Sequence, residues 1–292
     1  MIKIIRSFLV LLSFFIFGIG AVILNFTLFP LAKFFIKDKN LLYFYSDVIH
    51  STWAWFVKLI ISFGIMNLNI EDLAKIKQIK NKVIVSTHPS FIDIVILIGL
   101  IPRTTCIVKS ALAQNLILSN LVSSIFILED ETLDNMKNHT KKMLDNGFNV
   151  VIFPSGIRHR KNEYPKIHKG AATIAMNAKA NIVALKLYTD FDFLFINQPI
   201  YEAGELKVNY ELSYVGEIDV KSELEKTDNE IVIKKNITKM IENVLMSCEG
   251  DATIKPRSFR SWLCIKTRRL IYAAGMDGTI STAPSRSGNR RF

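Results

Sequence analysis

Cysteine is scarce here, and badly placed for any chemistry that depends on it. Cys106, Cys248 and Cys264 are three thiols scattered over 292 residues. The odd count and the absence of ligand spacing exclude a disulfide framework and a thiolate zinc site, and reduced packing cysteines fit a cytoplasm-facing domain. Histidine is also sparse, and His50, His139 and His168 have no partners that suggest a metal. No metal and no bound cofactor is implied. The chain has no internal repeat and no recognised nucleic-acid-binding motif, so nucleic acid is not an expected partner. Acidic residues are few, 26 against 37 Lys and Arg, for a formal charge of +11. The imbalance is local: residues 255–292 hold nine Lys and Arg and one acid. On a membrane protein such a tail suits anionic lipid headgroups.

Charge is missing altogether from residues 7–32. A run of that length can cross a bilayer as a helix. It is longer than the apolar part of a signal peptide, and no Ala-x-Ala cleavage signal closes it, so an uncleaved membrane anchor is expected. Basic residues flank it on both sides (Lys3 and Arg6, then Lys33, Lys37 and Lys39), which leaves the orientation open. Pro30 predicts a break, so a re-entrant or in-plane hairpin stands beside a straight span. A second apolar stretch, 53–68, carries Trp53, Trp55, Phe56, Leu59, Ile60 and Phe63 and reads either as an interfacial helix or as a core helix. Half of all residues are apolar and 20 are Phe.

Three regions are expected: a membrane-associated helical region over 1–69, a catalytic domain over 70–250, and a basic, partly disordered tail over 251–292. A polar link, 71–82, precedes an alternating pattern. Strands are predicted at 83–87, 104–109, 124–128, 150–153, 182–189 and 208–215. Helices are predicted at 92–98, 112–121, 132–146, 169–178 and 228–246. Strands alternating with helices argue for an α/β fold with a largely parallel central sheet flanked by helices.

His88 and Asp93 lie five residues apart, just after the apolar run Val83, Ile84, Val85. The loop from that strand to the next helix can fold the carboxylate back onto the imidazole. Asp93 then holds one ring nitrogen and leaves the other free to take a proton from a hydroxyl. A second element follows another strand: Phe153, Pro154, Ser155, Gly156, Ile157, Arg158. Gly156 lets backbone approach an anionic group, and Arg158 offers a fork of donors for phosphate. Lys169 and Gly170 open a further helix, whose N-terminus is a favourable phosphate neighbour. Both motifs fall at C-terminal ends of strands, where open α/β sheets bind ligands. Ser155 as the nucleophile of a serine hydrolase is the weaker reading, because the Gly-x-Ser-x-Gly elbow is absent.

His-x-x-x-x-Asp after a strand, Phe-Pro-x-Gly-x-Arg after a later strand and then Lys-Gly-Ala-Ala make a layout that resembles the glycerolipid acyltransferases. The nearest resemblance is to bacterial 1-acyl-sn-glycerol-3-phosphate acyltransferases, over roughly residues 50–216. The resemblance implies a membrane-bound O-acyltransferase of phospholipid biosynthesis, with its catalytic domain facing the cytoplasm at the bacterial inner membrane. It implies acyl-ACP or acyl-CoA as donor and a lysophosphatidate-like lipid as acceptor. His88 is then the base and Asp93 its partner; Ser155, Gly156, Arg158 and Lys169 fall on the acceptor side. The chain departs from the family at Ser155, where Glu is usual, and at Ile157, where Thr is usual. Glu129, Asp130 and Glu131 stand where the family usually has a basic residue, and an acidic cluster repels phosphate. A different acceptor in a specialised lipid pathway, a non-catalytic lipid-binding homologue, or a basic interaction protein acting through its tail are the alternatives.

Overall fold

The computed structural model describes residues 2–246, apart from 116–117, 130–131, 159–165, 191–192, 196–197 and 203–205. The basic tail therefore lies outside the described residues, as do Asp130, Glu131 and the charged run 159–161.

The uncharged N-terminal run forms helix throughout: α1 (Ile2–Ile23), a π-helical segment (Leu24–Leu28) and α2 (Phe29–Phe35). The break expected at Pro30 is instead a local widening. Proline lacks an N–H and crowds the carbonyl four residues back, and a wider turn just before it relieves both problems. The Phe29 N–H accordingly donates to Leu24 O, five residues away. The run then turns back into α3 (Asp38–Ser62). Phe17 packs on Phe56 with ring centroids 4.5 Å apart, and Phe29 stacks on Tyr45 at 4.2 Å. Trp53, Phe56 and Ile60 are buried, so this face of the second apolar stretch belongs to the core, while Trp55 stays exposed.

Seven strands form one sheet in the order β1-β7-β6-β2-β5-β3-β4. They are β1 (Met66–Ile70), β2 (Val83–Ser86), β3 (Thr104–Val108), β4 (Ile127–Leu128), β5 (Asn149–Ile152), β6 (Ile182–Thr189) and β7 (Val208–Ile218). Every pairing is parallel except β6 with β7. The four residues of β2 are all buried, as expected of a central strand covered on both faces. α3 packs with α5 (Asp93–Leu100), whereas α7 (Leu133–Asp145), α8 (Gly170–Ala178) and α10 (Glu230–Met246) cluster together, α10 also with α9 (Val220–Glu225). The remaining helices are α4 (Leu73–Lys77) and α6 (Ser119–Ile125), with a 3-10 turn at Ser110–Leu112.

Three local expectations change. Residues 66–68, expected at the end of an apolar helical stretch, belong to edge strand β1. Of residues 112–121, expected as helix, the described ones hold the end of the 3-10 turn and only the start of α6. The strand expected over 124–128 shrinks to Ile127–Leu128, because Ser124 and Ile125 close α6.

Candidate active site

β2 and β5 are neighbours in the middle of the sheet, with Val85 paired to Ile152. Their C-terminal ends therefore release the His88 loop and the Pro154–Arg158 loop side by side. Thr87 ties the first loop down: its hydroxyl donates to Leu187 O at 2.7 Å and accepts from the Leu187 N–H at 2.8 Å.

His88 Nδ1 lies 2.9 Å from Asp93 Oδ2. The same carboxylate oxygen accepts from the Ser90 N–H at 2.7 Å. Asp93 is fully buried at the first turn of α5, while the imidazole keeps 18% of its side-chain surface exposed. With Nδ1 occupied by the carboxylate, Nε2 is the ring nitrogen left for proton transfer. The ring stacks on Phe153, centroids 4.0 Å apart and planes at 15°. Phe153 precedes Pro154, so the second motif supplies a wall for the imidazole of the first. Burial pushes the Asp93 carboxyl above its ordinary range, opposed by the hydrogen bond and charge of His88, the Ser90 N–H and the positive charge of Arg158. A more basic carboxylate grips the ring N–H more firmly and better steadies an imidazolium.

The second loop turns at Gly156, whose φ of +68° favours a residue without Cβ. The Gly156 N–H donates to Phe153 O at 2.9 Å, and the His168 N–H to Pro154 O at 2.8 Å. Arg158 is half-buried, and its guanidinium donates to Leu194 O at 2.6 Å. Burial lowers its pKa, and the charge of Asp93 counters this. Lys169 is exposed and occupies the N-cap position of α8, with no side-chain cap. Ser155 is buried, and its hydroxyl donates back to Ile157 O at 2.9 Å. Gly156 and Arg158 thus share one side of the sheet edge with His88 and Asp93. The Ser155 hydroxyl is instead spent within its own turn.

Sequence reasoning missed the segment after β6. Phe193 O accepts from the Ser90 hydroxyl at 2.7 Å, and Leu194 O accepts from both the Phe91 N–H and Arg158. Two consecutive carbonyls thereby join the base loop to the arginine loop. Leu194 holds φ +53° to do so, a conformation uncommon for a leucine. No residue pattern marks it: Phe193 and Leu194 are buried, but the same connection also carries Phe191, Phe195, Ile196 and Ile200, so they do not stand out in the sequence.

Residues 67–187 match a family model described as Acyltransferase. The fold is similar to that of the 1-acyl-sn-glycerophosphate (LPA) acyltransferase PlsC from Thermotoga maritima. The TM-score is 0.62 at 15% sequence identity, over 86% of this chain and 100% of that one. No curated protein matches the chain.

Proposed function

We propose that this chain, whose residues 67–187 match the Acyltransferase family model, is an enzyme that moves an acyl group from a thioester, acyl-ACP or acyl-CoA, to the hydroxyl of a lysophosphatidate-like lipid. The observation that carries this reading is the 2.9 Å contact of His88 Nδ1 with the buried Asp93, beside the arginine loop. His88 Nε2 takes the proton of the acceptor hydroxyl as its oxygen attacks the thioester carbonyl carbon. The new C–O bond forms, the C–S bond breaks, and the imidazolium returns the proton to the leaving thiolate. The products are an ester and a free thiol. Gly156 and Arg158, with Lys169 farther along, supply the anion-binding side for the acceptor's phosphate. The acceptor arrives at the bilayer surface, on the cytoplasmic side of the bacterial inner membrane, and the product enters phospholipid synthesis.

A second acceptor class is favoured by one observation. The Ser155 hydroxyl is turned onto Ile157 O, and Ile157 itself is 60% exposed, so this turn offers an apolar surface where a polar contact is usual. An acceptor with less polar substitution around its hydroxyl fits that surface. Thiol release decides the matter. The purified protein is supplied with acyl-ACP or acyl-CoA and a panel of lysophosphatidate, other lysolipids and plain lipid alcohols. Acceptor-dependent thiol release that disappears in His88→Ala is expected. Equal release by the wild type and His88→Ala overturns the enzyme reading, and saturation by a neutral alcohol in preference to lysophosphatidate selects the second acceptor class.

A further inference from the structure

Beneath the His88–Asp93 pair lies a buried phenol that the chemistry above does not use. Tyr210 sits near the start of β7, paired with Thr189 at the end of β6, and is fully buried. Val208, Tyr210 and Leu212 alternate inward along β7 against exposed Asn209 and Glu211. The phenol therefore enters the core under the loop that follows β6, the loop whose Phe193 carbonyl holds the Ser90 hydroxyl. Burial raises the Tyr210 pKa well above normal, the charge of Asp93 adds to the rise, and the nearby Ser90 side chain opposes it.

The polar atoms in this pocket pair in only one sense. Ser90 has given its proton to Phe193 O and its N–H to Asp93 Oδ2, and its oxygen accepts from the Ile92 N–H at 3.4 Å with one lone pair to spare. Asp93 Oδ2 is used twice, by His88 and by Ser90. Asp93 Oδ1 is buried and engaged in no hydrogen bond, and so is the Tyr210 hydroxyl. An ionised carboxylate accepts and does not donate, whereas a phenol brings one donor. A buried donor left unused is costly, and here the unused donor feels the charge of the carboxylate whose Oδ1 is an unused acceptor.

We propose that Tyr210 is a positioning residue of the acyl-transfer pair, its hydroxyl donating to the Asp93–Ser90 cluster so that Oδ2 stays aimed at His88 Nδ1. This rests on the acyltransferase reading of His88 and Asp93. Donation from Tyr210 favours the ionised carboxylate beside a neutral imidazole, which is the working form of the pair. Its loss makes that form harder to reach, so the acid limb of the pH profile moves to higher pH.

Tyr210→Phe removes the oxygen and keeps the ring. The expected result is a fall in kcat of about 10-fold with KM for the acyl thioester unchanged. The acid limb of kcat/KM moves upward, and Tyr210→Phe causes no further loss when added to His88→Ala. Replacement of Tyr210 by 3-fluorotyrosine, a stronger donor of nearly the same shape, moves the limb the other way and does not depend on Tyr210→Phe folding well. Limbs that coincide with wild type in both variants overturn the proposal, as does a fall in kcat without displacement of the limb. His88→Ala in the same series tests the base separately: if it loses turnover while the Tyr210 variants leave the limb in place, only the positioning role fails.

Discussion

His88 Nδ1 is held by Asp93, so the reactive end of the imidazole is fixed at Nε2. His88→Ala is expected to lower kcat by roughly 10²- to 10⁴-fold, the usual contribution of a positioned general base. Asp93→Asn keeps an oxygen for the ring N–H and the Ser90 N–H but removes the charge that steadies an imidazolium. Its kcat is expected to fall nearly as far, with the fold retained by circular dichroism. The pH profile carries a sign. The working form is the deprotonated pair, so kcat/KM falls as pH drops through the pair's titration, and burial of Asp93 places that limb higher than an exposed carboxylate would. The positive charge of Arg158 opposes the rise. Arg158→Ala is therefore expected to displace the acid limb farther upward, in addition to raising KM for a phosphate-bearing acceptor. A limb that moves down, or an unchanged KM with lysophosphatidate, tells against the role given to Arg158. Arg158 and His88 were legible as sequence because both follow apolar strands within short, unusual motifs. Leu194 was not, because its contribution is a backbone carbonyl, and a carbonyl is the same on every residue.

The sheet was readable where strands are central and uniformly apolar. β2, β5 and β6 are buried nearly throughout, and their runs of Val, Ile and Leu stand out from the flanking helices. It was not readable at the edges. Met66–Ile70 alternates inward and outward, but it follows the apolar residues of α3 with only a short turn between. Ile125 to Leu128 is a four-residue apolar run that periodicity cannot divide between helix and strand, and only pairing with Ile107 and Val108 settles its last two residues as β4. Helix crossings hide in the same way. A Cβ on Gly99 would lie 2.7 Å from the Ala54 backbone nitrogen and 3.0 Å from the Ala54 Cα, so α3 and α5 touch backbone to backbone. Gly99→Ala must push the helices apart, at a cost of about 1–3 kcal/mol for an overpacked contact. Since α5 begins at Asp93, the same displacement reaches the active pair. A lower unfolding midpoint together with a reduced kcat is expected in detergent. An unchanged midpoint means that the two helices are not held at this distance.

At the scale of the molecule, the N-terminal helix is both apolar and tied down. The run Lys3–Phe35 is long and apolar enough to cross a membrane. Yet Arg6 donates to Gly64 O, Ile65 O and Leu206 O, and Asn25 joins α6 through Asn120 and Leu121. Tyr45 donates to Phe29 O near the far end. The helix is thus fastened to the body at its start, its middle and its end. The other side is bare: Phe8, Phe15, Phe26 and Phe34 are 57–79% exposed, spaced along α1, the π-helical segment and α2. A side lined with Phe on a helix pinned along its length suits burial in the bilayer surface better than passage through it. Phe8→Ser, Phe15→Ser and Phe34→Ser combined remove side chains worth roughly 1.5–3 kcal/mol each on burial, so partition onto anionic vesicles is expected to fall by at least about 100-fold. The fold should survive, because these rings face away from α3. Orientation is tested by single cysteines at Lys3 and Lys37 in a cysteine-free background. With an in-plane helix, a membrane-impermeant maleimide labels both positions from the same side of sealed vesicles. Labelling from opposite sides means that the Arg6 contacts are abandoned in the membrane and the helix crosses it.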